Sequence, residues 1–237
     1  MPSKRKIIFI VVEGISDQTA LAAIISKLIG TEKVIVEFTS CDITSEYGVT
    51  PSNIVSKIGG FIKDYSKPYY YKASDYLEVI HIIDTDGAFI GDEKVLKVPA
   101  EDIFYECNSI KTPDCQKIIN RNRRKVENIK RLISLPRVWG SIPYGVYFFS
   151  CNLEHVLYDN ANVPWETKDK LATQFAKQYR HNPEGFLTFI QNDIFAIKKA
   201  YGDSWKHIQE EENSLKRYTN INLVFSEQAK NVKRSLI

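Results

Sequence analysis

The run Lys6–Val12, KIIFIVV, is apolar and largely β-branched after its first residue, and Glu13-Gly14 follows it at once. Such a run has no polar face to show to water, so it belongs to a strand covered on both sides. Two later runs end in the same way. Tyr76–Ile83 (YLEVIHII) leads directly into Asp84-Thr85-Asp86-Gly87, and Gly145–Phe149 (GVYFF) leads into Ser150-Cys151-Asn152-Leu153-Glu154. Between the first two, the spacing turns helical: Leu21, Ile24, Ile25, Leu28 and Ile29 share one face, with Ser16 placed to cap the helix and Gly30 to stop it. Val34–Phe38 reads as a second strand, and Pro51–Tyr65 as a helix with Ile54, Ile58, Phe61 and Ile62 inward. Strands alternating with helices imply right-handed crossovers and a mainly parallel sheet flanked by helices. The expected class is α/β, with the strand C-termini gathered along one edge.

Further along, residues 88–110 read as an irregular insertion in which Val95–Val98 is a short strand. Pro113–Leu135 follows as a basic helix with Ile118, Ile119, Val126, Ile129 and Leu132 as its buried stripe. After Asp159 the composition shifts to amphipathic helices over Thr167–Gln178, Pro183–Lys199 and Asp203–Thr219. The expected organisation is a core domain over 1–158, carrying a basic insertion at about 88–140, and a helical C-terminal appendage over 159–237. Its last residues, with Lys230, Lys233 and Arg234, are expected to fray. With 43% hydrophobic and 26% charged residues in 237, the chain can bury a core and is not a disordered sequence. No apolar run approaches the ~18–20 residues that cross a bilayer, so a cytoplasmic protein without membrane contact is expected. Cys41, Cys107, Cys115 and Cys151 form no CxxC pair, which argues against a zinc site or a disulfide framework.

Charge is unevenly spread. Residues 111–137 hold nine basic residues against two acidic ones in a chain of net charge +3, so the remainder is net acidic. A charge run is commonly a solvated face. Concentrated in an otherwise acidic chain, this one reads as a phosphate-binding surface for DNA or RNA, with Arg121, Arg123, Arg124, Lys125, Lys130 and Arg131 as the contacts. Tyr69–Tyr71 and Trp139 are able to stack on unpaired bases, although packing is the commoner use of such residues.

Glu13, the Asp84/Asp86 pair and Glu154 each lie at or just beyond the end of an expected parallel strand. In a parallel sheet those ends converge, and crowding carboxylates raises their pKa values unless a cation neutralises them. Oxygen ligands without His or Cys suit a hard ion, Mg²⁺ or Mn²⁺, which completes its shell with water and substrate phosphate. Asp84 and Asp86, two residues apart, are able to face one side together.

The pattern IIFIVVEGISD, followed about seventy residues later by VIHIIDTDG, resembles the Toprim domain over about residues 5–158. That family comprises Rossmann-like catalytic modules of topoisomerases, primases, recombination proteins and nucleases. The resemblance implies that Glu13 acts in proton transfer or metal binding and that Asp84 and Asp86 bind metal. An acid four residues after the glutamate, here Asp17, and the spacing Ser150-x-x-x-Glu154 are similar to the Toprim nucleases of the OLD family. By that likeness two ions are implied, with Glu13 and Asp17 on one side, Asp84, Asp86 and Glu154 on the other, and Ser150 near by. The implied activity is metal-dependent endonuclease hydrolysis, in the setting of a prokaryotic antiviral defence effector. The full OLD proteins carry an ATPase domain; this sequence has no GxxxxGK[ST] loop, so an ATPase would be a separate partner.

Each motif also has a plainer use. Glu13-Gly14 and Asp84-Thr85-Asp86-Gly87 are able to serve turn chemistry, Asp17 to favour a helix dipole, and Ser150 to cap the helix that Glu154 and His155 begin. A non-catalytic nucleic-acid-binding or regulatory subunit, activated by an ATPase partner, is the main alternative function. A flavodoxin-like or receiver-type phosphotransfer domain is a third, and fits the first-strand glutamate less well.

Overall fold

A computed structural model of the chain describes residues 5–99 and 101–225. The expected alternation is present as β1 (Lys6–Val12), α1 (Ile15–Ile29), β2 (Val34–Ser40), α2 (Ile54–Ser66) and β3 (Tyr76–Asp84). Next come β4 (Val95–Lys97), β5 (Phe104–Tyr105), β6 (Ile110–Thr112), α3 (Cys115–Ile133), β7 (Arg137–Val138) and β8 (Ile142–Phe149). Helices α4 (Leu153–Tyr158), α5 (Trp165–Tyr179), α6 (Pro183–Ile190) and α7 (Tyr201–Gln209) follow. None of the helices among the described residues is long and apolar enough to cross a membrane.

The main sheet has the order β2-β1-β3-β8-β7. Its first four strands run parallel, and β7 pairs antiparallel at the edge. Burial on both faces accounts for the unbroken apolar text of β1. Ile8, Ile10 and Val12 pack into one cluster with α1, α5 and α6, whereas Ile7, Phe9 and Val11 pack into another with α2, α3 and α7. Ile7, Ile8, Phe9, Ile10 and Val12 are wholly buried, each contributing roughly 1.5–3 kcal/mol.

The connections also create a crevice. β1 leads to β2 on one side, while β3 leads to β8 on the other. Helix α1, leaving β1, covers one face, and α3, leading into β8, covers the opposite face. The strand order therefore reverses between the C-terminal ends of β1 and β3, which is where open α/β sheets place their ligands.

Two expectations need correction. Residues 88–110 are not irregular throughout: with Ile110–Thr112 they supply a second sheet, β4-β6-β5, over a small core of Ile90, Val95, Ile110, Ile118 and Leu215. The region after Asp159 is not an appendage, because Phe175, Phe186, Phe195 and Ile221 share one core with Ile8 and Ile10. Two of its helices, α6 and α7, end earlier than the amphipathic spacing implies, whereas α5 is longer at both ends. Helix α6 ends at Ile190, after which Asn192 Oδ1 accepts from the Ile194 N–H at 2.9 Å in a local turn. Beyond α7 the backbone joins the sheet instead of coiling. The Ser150 N–H donates to the Tyr218 carbonyl at 2.8 Å, and the Thr219 hydroxyl to the Phe148 carbonyl at 2.7 Å. Lys230, Lys233 and Arg234 lie outside the described residues.

Candidate active site

Glu13 leaves β1 at the crevice, where its Oε1 accepts from the Thr44 hydroxyl at 2.9 Å. Helix α1 starts two residues earlier than expected, with Gly14 rather than Ser16 as its cap. Asp17 turns back so that its Oδ2 accepts from the Gly14 N–H at 2.9 Å. It is thus a first-turn acid, as the plainer reading has it, and it is also buried against the site. The Ser16 hydroxyl instead donates to Asp169 Oδ1 at 2.8 Å, tying α1 to α5.

At the exit of β3, Thr85 points away from the crevice. Its hydroxyl donates to the Ser214 carbonyl at 3.1 Å and accepts from the Cys151 N–H at 2.9 Å. The Asp86 N–H donates to the Cys151 carbonyl at 2.7 Å. These bonds hold Asp86 in the left-handed region at φ 50, which aspartate tolerates better than most residues. Gly87 follows at φ 63, and a Cβ there would stand 2.3 Å from Leu215 Cδ2, so both conformation and space demand glycine.

Lys125 is the main correction to the sequence reading. It is wholly buried, and its ammonium donates to Glu13 Oε2 at 3.1 Å and to Asp86 Oδ2. It therefore offers nothing to a phosphate surface. The buried face of α3 is Ile118, Asn122, Lys125, Asn128, Ile129 and Leu132, while Ile119 and Val126 are partly exposed. Arg121 is also turned inward, donating to the Asp86 carbonyl at 2.8 Å and to the Tyr105 hydroxyl at 3.0 Å. Arg123 pairs with Asp92, and Arg124 Nε donates to the Ser45 carbonyl at 2.9 Å. Lys130 and Arg131 remain exposed.

Glu154 is buried in the first turn of α4 and pairs with Lys168 of α5 at 3.0 Å. The cap of α4 is Asn152, whose Oδ1 accepts from the His155 N–H at 2.9 Å. Ser150 neither caps nor faces the carboxylates: wholly buried, it donates to the Asn213 carbonyl at 3.0 Å.

Glu13, Asp17, Asp84, Glu154, Trp165 and Lys168 line one cleft of about 380 Å³. Asp86 sits beside it, held by Lys125. The electrostatics divide these acids. Burial pushes Glu13 up to about 8, with Asp42 and Asp86 adding to the shift and Lys125 opposing it. Burial, with Glu154 close by, lifts Asp17 to about 6. Burial and the charges of Asp17, Glu13 and Asp86 hold Asp84 well above the carboxylate range. Burial works against the charge of Asp86 too, but Lys125 and Arg121 outweigh it and keep that carboxyl low. Among the described residues no side chain donates a hydrogen bond to Asp84.

The expected ligands are therefore neighbours without being a ready-made cage. Among the described residues no three His, Cys, Asp or Glu side chains stand together as an ion site, and an ammonium lies between Glu13 and Asp86. Sequence reasoning missed Thr44, Lys168 and Trp165, and misassigned Lys125. For Lys125 a signal existed, because 118, 122, 125, 129 and 132 follow one helical stripe. Thr44 and Lys168 carry none, since only the fold brings their loop and helix to the crevice. No family model, no curated protein and no solved structure matches the chain.

Proposed function

We propose that the chain is a metal-dependent nuclease of the Toprim type, hydrolysing phosphodiester bonds of DNA or RNA. The observation that carries this reading is the convergence of Glu13, Asp17, Asp84, Asp86 and Glu154 where the strand order reverses. A fold gains nothing in stability from that crowding, because each added carboxylate raises the cost of ionising the others. The donors are all oxygen, and Asp84 has no donor of its own among the described residues, which fits one or two hard divalent ions. Held by Glu13, Asp17, Asp84 and Glu154 with Asp86 beside them, Mg²⁺ or Mn²⁺ would supply an activated water and charge neutralisation at the phosphate.

The protein's own residues have separable tasks. In the metal-free site burial raises Glu13 to about 8, so it takes up a proton that a bound cation would displace. Thr44 and Lys125 fix the two oxygens of Glu13. Lys125, wholly buried, touches no substrate and is a positioning residue for Glu13 and Asp86. Arg121 fixes the backbone of Asp86. The exposed Lys130 and Arg131 offer charge to a nucleic-acid backbone.

One observation favours the second reading, a nucleic-acid-binding subunit switched on by an ATPase partner: an ammonium already neutralises Glu13 and Asp86. The two are separated by incubating purified protein with plasmid DNA, single-stranded DNA and tRNA in Mg²⁺, Mn²⁺ or EDTA. The nuclease reading expects metal-dependent cutting that Glu13→Ala and Asp84→Ala each abolish. Binding without cutting of any substrate would favour the regulatory reading.

A further inference from the structure

The carboxylate cleft has an apolar rim that hydrolysis does not require. Trp165, the first residue of α5, is 83% exposed, and Ile15, the first residue of α1, is 74% exposed; both line the cleft beside Glu13 and Asp17. The other two tryptophans are packed: Trp205 stands edge-on to Phe148 at 4.7 Å, and Trp139 to Tyr76 at 6.0 Å. Trp165 has no ring or cation partner among the described residues. Its helix is nevertheless fixed in register with the site. Asp169 receives the Ser16 hydroxyl at 2.8 Å, and Lys168, on the same face of α5 as Trp165, pairs with Glu154 at 3.0 Å.

The geometry points to Trp165 as a stacking platform for an unpaired nucleobase, so that this cleft takes single-stranded nucleic acid in preference to duplex. The inference deepens the nuclease reading and rests on it. The rim selects the occupant: Trp165 and Ile15 present exposed apolar surface, which the face of a base covers and a phosphate does not. Size agrees, since about 380 Å³ lies at the small end of ligand pockets and matches a recess for one residue of a strand rather than a groove for a helix. An indole accepts any base by its face, so the platform selects strandedness and not sequence. Lys168 stands on the same wall, with its ammonium paired to Glu154.

Fluorescence anisotropy in EDTA with the full chain tests this, using one labelled oligonucleotide sequence as single-stranded DNA, as single-stranded RNA and as DNA duplex. Trp165→Ala is expected to weaken single-strand binding roughly 5- to 150-fold, the loss of one stacked base, and to leave duplex binding unchanged. Trp165→Phe should recover most of the affinity, and the DNA and RNA arms identify the preferred strand. Equal weakening of single strand and duplex, or no weakening, overturns the inference. So does a change in oligomeric state by light scattering with oligonucleotide affinity intact, which would make Trp165 a protein contact. Wild-type protein that still cuts nucleic acid when assayed in Mn²⁺ leaves the nuclease reading standing in any of these cases; wild-type protein that neither binds in EDTA nor cuts in Mn²⁺ removes both.

Discussion

The two faces of α3 carry the same kinds of residue and do opposite things. On the inner face Lys125 is wholly buried between Glu13 and Asp86, and Arg121 braces the Asp86 backbone. On the outer face Lys130 and Arg131 stand in water. An inner cation is bound by desolvated carboxylates that cannot find another partner, whereas an outer cation exchanges freely between water, salt and any polyanion. Net charge over 111–137 therefore mixes two quantities, site architecture and surface field.

Lys125→Met should separate the faces most sharply. It leaves the partly buried Glu13 and Asp86 without their wholly buried cation, and a loss of about 3–5 kcal/mol is expected in urea unfolding. Adding Glu13→Gln and Asp86→Asn to the same chain should recover most of that loss. A Lys125→Met protein as stable as wild type would erase the distinction. Arg121→Ala comes next, at roughly 1.5–3 kcal/mol, for a charged donor removed from the partly buried Asp86 carbonyl; thermal unfolding measures it.

The inner face also imposes a pH dependence on the metal-free protein. Glu13 rises from 4.5 to about 8 on folding and Asp17 from 3.8 to about 6, so the folded state binds protons more tightly than the unfolded chain. Their contribution is most favourable below pH ~4 and is lost as pH rises towards 8, so Tm in EDTA should fall across that window. Glu13→Gln should flatten the upper part of the decline. A Tm that rises between pH 5 and pH 8 would contradict the burial of these acids. The smallest effect belongs to the outer face: Lys130→Ala with Arg131→Ala should change stability by no more than about 0.5 kcal/mol. It should reduce the salt dependence of nucleic-acid binding by about one unit of slope per residue.

The contrast also explains what the sequence could disclose. The alternation of β1, α1, β2, α2 and β3 was legible because burial on both faces of a strand forces continuous apolar text, as in Ile7–Val12. The acids at strand ends were legible because a parallel sheet gathers those ends on one edge. What escaped reading depends on contacts distant in the chain. Lys168 reaches Glu154 only because α5 packs on α1, and Thr44 reaches Glu13 from a loop held by Asn128 of α3, whose amide donates to the Thr44 carbonyl at 3.0 Å. Ser150 was assigned by spacing alone, and tertiary bonding to Asn213 took its hydroxyl away. The helix expected over Asp203–Thr219 overruns α7 because amphipathic spacing persists where Ser150 and Phe148 offer their backbone to Tyr218 and Thr219 instead.

The central claim is that the crowded carboxylates exist to hold a divalent cation. Titration calorimetry of Mn²⁺ into the purified chain at pH 7, repeated in buffers of different ionisation enthalpy, tests it directly. Because Glu13 and Asp84 are held above the usual carboxylate range, binding should displace protons and the apparent enthalpy should change with the buffer. Asp84→Asn should abolish both the binding and that dependence. Absence of Mn²⁺ binding, or binding unaffected by Asp84→Asn, would contradict the account.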